Sequence, residues 1–351
     1  MVVALATAQA RTGARVRVWT TDAFDAVRRS DMPAQRVQDG IDVRTSRLLS
    51  NDLAWRHQLF LPRGEPPMDG VDVVHLHAHR NLLNHAAFRA ARRLGVPVVQ
   101  TPNGTLPRHE RKIGAKFVWD RLFDGVVPRE AHAVVATSRA EVRDFLQAGV
   151  PGERIRRIPN PIVMEEFAEL PPRGTFRRKQ GWGEEPLVVY LGQISPRKGV
   201  EHLVAACADL DGVRLAIAGS ARGMELPRGK AHYLGTIEGP DRLALLVDAD
   251  VLVYASAREV FGLVPLEGLL CGAPVIVGGD CGCGEMIAEA GAGLLVAHGD
   301  VGSLAAAIKR LLADRPAAAE FVRRGRAWIA QNADSEAVAR RYLALYEEVS
   351  R

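Results

Sequence analysis

The sequence predicts an α/β protein made of two doubly wound domains. Three observations carry the prediction. The chain has 351 residues, more than one hydrophobic core usually organises. Short apolar segments alternate with amphipathic segments in both halves, which is typical of parallel sheets covered by helices on both faces. A polar, proline-containing stretch at 159–186 interrupts the alternation, and we interpret it as a linker.

The domain boundaries follow from that interruption. We predict an N-terminal Rossmann-like domain at 1–165, a C-terminal Rossmann-like domain at 166–334, and a closing helix at 335–351 that packs back toward the first domain. In folds of this kind, ligands bind in the crevice beyond the carboxyl ends of the strands. We therefore expect the site where the two domains face each other across a cleft.

The first half opens on a helix. Its apolar pattern predicts helices over 2–10, 82–94 and 139–148 and strands over 16–20, 71–77, 96–101 and 133–138. Ser138 is placed to cap the last of these helices. A doubly wound domain ordinarily begins with a central strand and a glycine-rich turn. We therefore expect the first strand of the N-terminal domain to be missing from this chain.

The second half repeats the alternation. The pattern predicts strands over 187–191, 213–218, 251–254 and 274–277, and helices over 200–208, 243–247, 265–271, 303–313 and 335–349. No run of 18 apolar residues occurs, and no basic segment precedes the apolar start of the chain. We therefore expect neither a transmembrane helix nor a signal peptide.

The basic excess lies in the first half. The net charge is +5, and residues 1–170 carry 25 Lys and Arg against 19 Asp and Glu. This imbalance suits an acidic substrate or an anionic membrane, and equally an ordinary solvated face. No basic run interleaved with aromatic residues indicates nucleic acid. The four cysteines (Cys207, Cys271, Cys281, Cys283) are few and unevenly spaced, which favours reduced thiols over disulfides or a metal site.

The segment from Glu259 to Glu267 carries the most informative chemistry. We predict a loop after residue 254 and a helix that begins near Pro265. The N–H groups at a helix start bind anions, and Gly262 lets a ligand approach the backbone. Glu267, expected in the first helical turn, suits a ribose diol, and Glu259 projects beyond the phosphates. Either glutamate alone is equally explained by the helix dipole, but together they fit a sugar, a diphosphate and a ribose.

This segment resembles the E-x7-E signature of glycosyltransferase family 4, whose members are retaining enzymes with the GT-B fold. The resemblance covers most of the chain and is more specific in the C-terminal half. Other matching segments are 73–77, 101–104, 158–161, 190–199, 216–220 and 233–237. The resemblance implies an enzyme that moves a hexose or N-acetylhexosamine from a nucleotide-diphosphate sugar to an acceptor hydroxyl.

The resemblance also implies a donor site in the C-terminal domain. Lys198 takes the position of a lysine that holds the diphosphate, Glu259 that of a sugar contact, and Glu267 that of a ribose contact. The implied catalytic residues are Lys198, Glu259 and Asn103. The implied donor-binding residues are Gly192, Gln193, Lys198, Gly219, Ile237, Glu259, Phe261, Gly262, Leu263, Val264 and Glu267.

Two residues depart from the family pattern. Gln193 stands where many members have an arginine, and Arg197 is the nearest replacement for that charge. Asn103 stands where many have a histidine; asparagine hydrogen-bonds a hydroxyl but does not shuttle a proton near neutral pH. These departures and the missing strand leave open a catalytically impaired protein that binds a nucleotide sugar without turnover. A nucleotide-sugar epimerase fits the E-x7-E pattern less well, and no G-x-G-x-x-G follows an opening strand as in a nicotinamide dehydrogenase.

Two patterns imitate metal sites. His75, His77 and His79 recur at a period of two and would share one strand face. Asp248 and Asp250 imitate a D-x-D motif. We predict structural roles for both patterns, because the family is usually metal-independent, and we expect no metal or other cofactor.

The densest basic cluster follows residue 104 and consists of Arg108, Arg111, Lys112 and Lys116. We expect it to meet a lipid-linked or acidic glycan acceptor, or an anionic membrane. The resemblance implies a cytoplasmic protein, peripheral on the inner face of the plasma membrane, in cell-envelope, exopolysaccharide or glycolipid synthesis. The sugar, the base and the acceptor stay undetermined by the sequence.

Overall fold

The computed structural model describes residues 1–25, 28–57, 59–107, 113–221, 225–226 and 229–351. The chain forms two compact units. Unit 1 comprises Met1–Pro161 and Ser335–Arg351, and unit 2 comprises Ile162–Asp334. No helix in the described part of the chain is long and apolar enough to cross a membrane.

Unit 1 contains two sheets. The first sheet has the strand order β1-β3-β2 and consists of β1 (Arg17–Thr21), β2 (Gln35–Gln38) and β3 (Ile41–Ser46). The second sheet is parallel and consists, in spatial order, of β4 (Val74–His77), β5 (Val98–Thr101), β6 (Ala133–Ala136) and β7 (Ile155–Arg157). The helices are α1 (Val2–Arg11), α2 (Asn51–His57), α3 (Leu82–Leu94), α4 (Ile113–Trp119), α5 (Val127–Glu130) and α6 (Arg139–Gln147), and the last helix of the chain, α14 (Ser335–Val349), also belongs here.

Local sequence explains where these helices begin and end. The Asn81 side chain accepts a hydrogen bond from the Leu83 N–H at the start of α3, and Gly95 ends α3 in the left-handed conformation. The Ser138 hydroxyl accepts from the Glu141 N–H at the start of α6, which confirms the predicted cap. α14 packs against α1, and buried Tyr342 belongs to the cluster that joins them to the sheet.

Unit 2 contains one six-stranded parallel sheet. Its strands are β8 (Leu187–Leu191), β9 (Arg214–Ala218), β10 (Ala231–Gly235), β11 (Val251–Tyr254), β12 (Val275–Gly278) and β13 (Gly293–Val296). Its helices are α7 (Thr175–Gln180), α8 (Val200–Ala208), α9 (Gly239–Asp248), α10 (Leu263–Cys271), α11 (Gly282–Ala290), α12 (Val301–Ala313) and α13 (Arg315–Asn332). β8, β11 and β12 are buried along their whole length, as apolar strands covered on both faces must be.

The strand order of unit 2 defines where a ligand belongs. The order is β10-β9-β8-β11-β12-β13, so the connections run outward in opposite directions from the neighbours β8 and β11. The helices leaving these two strands diverge, which opens a crevice at their carboxyl ends. Both segments that the sequence analysis singled out, the one after β8 and the one after β11, begin at this crevice.

Several sequence predictions needed correction. The stretch interpreted as a linker holds a 3-10 turn at Met164–Phe167 and the helix α7, which is fastened to unit 2 by buried Arg177. α10 begins at Leu263, two residues before Pro265. α13 was not predicted, because its small and charged residues show little apolar periodicity. The four cysteines are free and buried, which confirms the predicted thiols.

Candidate active site

The glycine turns after β8 and β9 form a bare backbone surface at the crevice. Gly192 and Gly219 have φ of 146° and 144°, in the range that favours glycine. A β-carbon on Gly219 would lie 1.7 Å from the Gly192 carbonyl oxygen, so the two backbones pack directly. Tyr190 donates its hydroxyl hydrogen bond to the Gln193 carbonyl at 2.7 Å, which fixes the turn from below. A ligand at this edge therefore meets main chain rather than side chains.

Lys198 is the charged centre of the crevice. It ends a 3-10 turn at Pro196–Lys198, and only 10% of its side chain is exposed. Its Nζ donates to the Tyr254 hydroxyl at 2.7 Å and pairs with the Glu259 carboxylate. The ammonium also lies 4.7 Å from the centre of the Tyr254 ring. The lysine from the β8 side and the glutamate from the β11 side thus meet where the sheet changes direction.

Glu259 is held at one oxygen. Its Oε2 accepts from Lys198, from the Tyr254 hydroxyl at 3.2 Å and from the Ser256 hydroxyl at 3.4 Å. Burial, and secondarily the Glu259 charge, raise the pKa of Tyr254, so the phenol stays a hydrogen-bond donor. Arg258 precedes the glutamate in the left-handed region with φ of 53°. Within the described residues Oε1 has no hydrogen-bond partner, which leaves it available to a ligand hydroxyl.

The start of α10 offers backbone amides beside this pair. Gly262 is the N-cap with φ of 76°, and a β-carbon there would lie 2.8 Å from the Cys283 sulfur. The N–H groups of Leu263 and Val264 belong to the first helical turn, where no intrahelical acceptor exists. Phe261 turns its side chain into the core. Leu263 and Val264 are two of the residues whose amides were predicted to bind an anion, although the helix begins two residues before Pro265.

Glu267 occupies a different position from the predicted one. It is the fifth residue of α10, so it lies beyond the first turn. Its carboxylate pairs with Arg242 of α9, and both side chains are about a fifth exposed. Arg242 also approaches Glu166 at 3.5 Å. A ribose diol at Glu267 would share the carboxylate with this arginine, a partner that the sequence did not indicate.

Ile237 lies two residues beyond β10, in the connection to α9. Its side chain is partly buried against the core of unit 2. The neighbouring Gly235 carbonyl accepts the Gly219 N–H at 2.7 Å, so this connection is tied to the glycine turn of β9. Ile237 thus lies at the same sheet edge as Gly192 and Lys198.

The D-x-D aspartates have structural roles, as predicted. Asp248 is fully buried and accepts hydrogen bonds from the Gly174 and Arg177 N–H groups at the start of α7. Asp250 accepts from the Leu187 N–H at 2.8 Å and pairs with Arg177 at 2.8 Å. Both precede β11, at the amino end of the sheet and away from the crevice.

The three histidines do not form one cluster. The rings of His75 and His77 lie 4.1 Å apart at their centres and are tilted by 37° to each other, and His75 hydrogen-bonds Tyr346 of α14 at 2.7 Å. Burial lowers the pKa of both, that of His77 to about 4. His79 lies beyond the strand and approaches Asp120 at 3.4 Å, so the prediction of a shared face is wrong for this residue. In the part of the chain that the structure describes, no group of three possible ligands is arranged to hold a metal.

Asn103 lies in unit 1, in a turn after β5. It has φ of 50°, its Nδ2 donates to the Thr101 carbonyl at 3.2 Å, and its enclosed Oδ1 has no partner among the described residues. The next N–H, that of Gly104, donates to Glu141 at 2.6 Å. Glu141 is 1% exposed and also accepts from the Thr137 N–H at 2.8 Å. Burial raises the pKa of Glu141, while these hydrogen bonds oppose the rise.

The basic cluster is described only in part. Arg108, Arg111 and Lys112 lie outside the described residues. Lys116 lies in α4, is half-buried, and belongs to unit 1.

Sequence reasoning missed three residues of these sites. Tyr254 closes an otherwise apolar strand with a polar tip, which was a usable signal. Glu141 stands three residues after Ser138 in a capping-box pattern, but its side chain reaches Gly104 and Thr137 instead of the cap. Arg242 had no sequence signal, because only the packing of α9 beside α10 brings it to Glu267.

Two family models match this chain. The model described as Glycosyltransferase Family 4 matches residues 1–166, and the model described as Glycosyl transferases group 1 matches residues 172–328. The first covers Met1–Pro161 of unit 1 and the first five residues of unit 2, and the second lies within unit 2. Together they account for nearly the whole chain.

Relatives and solved structures agree with these matches. A GDP-mannose-dependent alpha-mannosyltransferase of Mycobacterium tuberculosis is 29% identical over 316 residues, which cover 84% of this chain and 80% of the relative. A D-inositol 3-phosphate glycosyltransferase of Xylanimonas cellulosilytica is 28% identical over 357 residues, covering 89% and 82%. A glycogen synthase of M. tuberculosis is 30% identical over 284 residues, covering 76% and 66%.

The fold is that of known GT-B structures. Sucrose-phosphate synthase from Thermosynechococcus elongatus superposes with a TM-score of 0.76 at 23% identity, covering 99% of this chain and 92% of that one. HepE from Anabaena, solved with UDP-glucose, superposes with a TM-score of 0.71 at 20% identity, covering 88% and 87%. The predicted fold class is confirmed. The chain is a glycosyltransferase and belongs to glycosyltransferase family 4.

Proposed function

We propose that this enzyme transfers a hexose from a nucleoside-diphosphate sugar to an acceptor hydroxyl with retention of configuration. The observation that carries the proposal is the Lys198–Glu259 pair at the β8–β11 crevice, beside the amides of Leu263 and Val264. A cation and free amides stabilise a departing diphosphate, and a carboxylate orients sugar hydroxyls. The four features lie in unit 2 and are contributed by two neighbouring strand ends.

The proposed reaction begins with rearrangement of the pair. In the free protein Lys198 neutralises Glu259. When the donor binds, the ammonium turns to the diphosphate, and Glu259 keeps Tyr254 and Ser256 on Oε2 while Oε1 accepts from a sugar hydroxyl. The bond from the anomeric carbon to the phosphate oxygen breaks, the acceptor oxygen attacks the same face, and the leaving phosphate oxygen takes the acceptor proton. No step in this scheme requires a metal.

The donor and acceptor are proposed from relatives. Several relatives are named as GDP-mannose-dependent mannosyltransferases, and the names of three of them specify phosphatidylinositol monomannoside. These names support GDP-mannose as the first donor to test and a lipid-linked glycan as the first acceptor class. We place the enzyme in the cytoplasm, peripheral on an anionic inner membrane, with Arg108, Arg111, Lys112 and Lys116 as the contact.

The donor assignment is tested by binding and turnover together. GDP-mannose, UDP-glucose and ADP-glucose are titrated by calorimetry, and radiolabelled donor is followed for hydrolysis and transfer. We expect one donor to bind, and Glu259→Gln to lower turnover about 10²-fold, since it weakens the acceptor for sugar hydroxyls. Glu184→Gln, an exposed change in the same unit, serves as the control. The anomeric configuration of the product is read by NMR.

A second function remains testable in the same assay. Gln193 and Asn103 motivate an impaired protein that binds a nucleotide sugar without turnover. Tight donor binding with neither hydrolysis nor transfer, for every acceptor fraction supplied, would favour that function over the enzyme. Absence of binding to all three donors would contradict both.

The membrane contact has its own test. Neutralising the four basic residues is expected to lower the partition coefficient onto phosphatidylglycerol vesicles, measured by sedimentation, by up to about 10³-fold, because each basic residue near the surface contributes about 1 kcal/mol. Neutralising the exposed pair Lys309 and Arg310 of α12 is the control. Equal sedimentation of all variants would remove the proposal.

A further inference from the structure

A second concave surface lies at the opposite end of the unit 2 sheet. Ala249 and Asp250 precede β11, and Pro274 precedes β12, so this cavity sits at the amino ends of the strands. Its volume is about 450 Å³. α10 runs from Gly262 at the donor crevice to Gly272 at the cavity wall, a rise of about 13 Å for nine residues. The cavity is therefore separate from the crevice where Lys198 lies.

The cavity is lined by four arginines and one carboxylate. Arg173 and Arg315 both approach the same oxygen of Asp250, at 2.7 and 3.0 Å. The other oxygen of Asp250 is already paired with buried Arg177 at 2.8 Å. Arg173 and Arg315 keep more than half of their side chains exposed. The Asp250 carboxylate thus forms ion pairs with three guanidinium groups.

The remaining two arginines differ from each other. Arg323 pairs with Glu320 at 2.6 Å, and Arg324 shares that carboxylate at 2.7 Å. Arg326 donates to the Leu269 and Leu270 carbonyls at the end of α10, and within the described residues it has no carboxylate partner. Arg326 therefore adds a positive charge to the cavity wall.

A charge count gives a positive cavity. Arg173, Arg177, Arg315 and Arg326 face two aspartates, the second being Asp248 behind Arg177. The ends of α9 and α10 each contribute about half a negative charge and the start of α13 about half a positive one, which leaves an excess of about one and a half positive charges. An anion of comparable charge would balance that excess.

The shape indicates what carries the anion. The apolar part of the lining is formed by Pro274 and by Ala318, Ala319 and Val322, which lie on the face of α13 that also carries Arg315 and Arg326. Cavities of about 300–1,000 Å³ hold small organic ligands, so this one has room beyond a bare phosphate ion. Guanidinium groups that keep unpaired N–H donors match phosphate oxygens bidentately. We propose that this cavity binds the phosphate monoester of a small metabolite, with Arg173, Arg315 and Arg326 holding the phosphate.

Calorimetry on the full chain tests the proposal with ribose 5-phosphate and with inorganic phosphate. We expect saturable binding of ribose 5-phosphate that Arg315→Ala and Arg173→Ala each weaken by about tenfold, the range for loss of one charge-assisted contact. Arg324→Ala removes the same charge from α13 outside the cavity and is expected to leave binding within twofold. In either variant Asp250 keeps its pair with buried Arg177 and with the other exposed arginine, so these variants are expected to fold.

The outcomes that overturn the proposal are distinct. Binding that survives Arg315→Ala and Arg173→Ala but is lost in Lys198→Met would place the phosphate in the donor crevice. If inorganic phosphate binds and ribose 5-phosphate does not displace it, the assignment of a phosphate monoester as the ligand would be overturned. No saturable binding of either compound would overturn the site itself. None of these results depends on whether the enzyme turns over a donor.

Discussion

Replacing Lys198 with methionine removes the only charge that Glu259 pairs with among the described residues, while keeping the length of the side chain. A unit charge about 4 Å from a phosphate is worth about 4 kcal/mol at an effective dielectric constant of about 20. A preorganised donor to a leaving group typically contributes about 2.7–4 kcal/mol to the transition state. We therefore expect Lys198→Met to lower kcat by about 10²- to 10³-fold.

The same change has a smaller effect on stability. Glu259 loses its cation but keeps the Tyr254 and Ser256 hydroxyls, and a fifth of its side chain stays exposed. We expect a loss of about 1–2 kcal/mol in the free energy of unfolding, as for a partly desolvated polar group. Thermal unfolding of the free protein measures this loss separately from turnover.

Kinetics at saturating donor, with Lys309→Met as an exposed control, measure the catalytic effect. A fall in kcat of less than about tenfold would contradict the role in leaving-group stabilisation. The double variant Lys198→Met with Glu259→Gln separates two explanations. If it regains turnover over Lys198→Met alone, Lys198 serves only to neutralise Glu259, and the reasoning fails.

Three further predictions concern other parts of the structure. Gly219→Ala would drive a β-carbon into the Gly192 carbonyl and is expected to lower the free energy of unfolding of unit 2 by about 3 kcal/mol or more, as measured by chemical denaturation. The control is Gly212→Ala, because Gly212 also has a positive φ, of 70°, but has open space around it. We expect that control to lower the free energy of unfolding by about 1 kcal/mol. Glu267→Gln is expected to raise the KM for the donor about tenfold and to leave kcat nearly unchanged, because a ribose contact is made equally in the ground state and the transition state. An unchanged KM would show that Glu267 does not contact the donor. Burial lowers the pKa of His77 from 6.5 to about 4, so the folded state binds fewer protons, and the stability present above pH 6.5 is lost as the pH falls toward 4. Integrating that shift gives a loss of about 2 kcal/mol in the free energy of unfolding at pH 5. His77→Gln should abolish this loss in acid-denaturation curves. Equal curves for the wild-type protein and the variant would contradict the lowered pKa.

The parallel sheets were predictable because short apolar strands alternate with amphipathic helices, and the family was indicated by the resemblance of the Glu259–Glu267 segment to its signature. β8 and β11 were predicted at the residues where they occur, since Leu187–Leu191 and Val251–Tyr254 are apolar runs bounded by polar residues. β2 and α13 were not predicted, because their residues are mostly polar or small and carry no clear periodicity. The linker interpretation failed at α7, which has five polar residues and Phe176 and whose Arg177 N–H donates to Asp248, 71 residues along the chain.

The candidate site was likewise predictable in several of its residues but not in how their side chains pair. Residue types and spacing along one segment indicated Glu259 and the amides before Pro265, because strand ends and helix starts are local features. Lys198 was implied by the family resemblance. The pairing of Lys198 with Glu259 spans 61 residues and depends on β8 lying beside β11. The strand order that makes them neighbours is a property of the whole sheet, and no local pattern encodes it.

The opposite edge of unit 2 makes the contrast clearest. Asp248 and Asp250 have the spacing of a metal motif in the sequence, and the same two residues are engaged by main-chain N–H groups and by arginines in the structure. Spacing within one segment was enough to locate a site for a nucleotide sugar, because strand ends and helix starts are local features, and the resemblance of that segment to family 4 indicated a glycosyltransferase. The tertiary structure alone decided which charged groups pair at Glu259, at Glu267 and in the arginine-lined cavity. The reason is that electrostatic interaction depends on distance in space and not on distance along the chain.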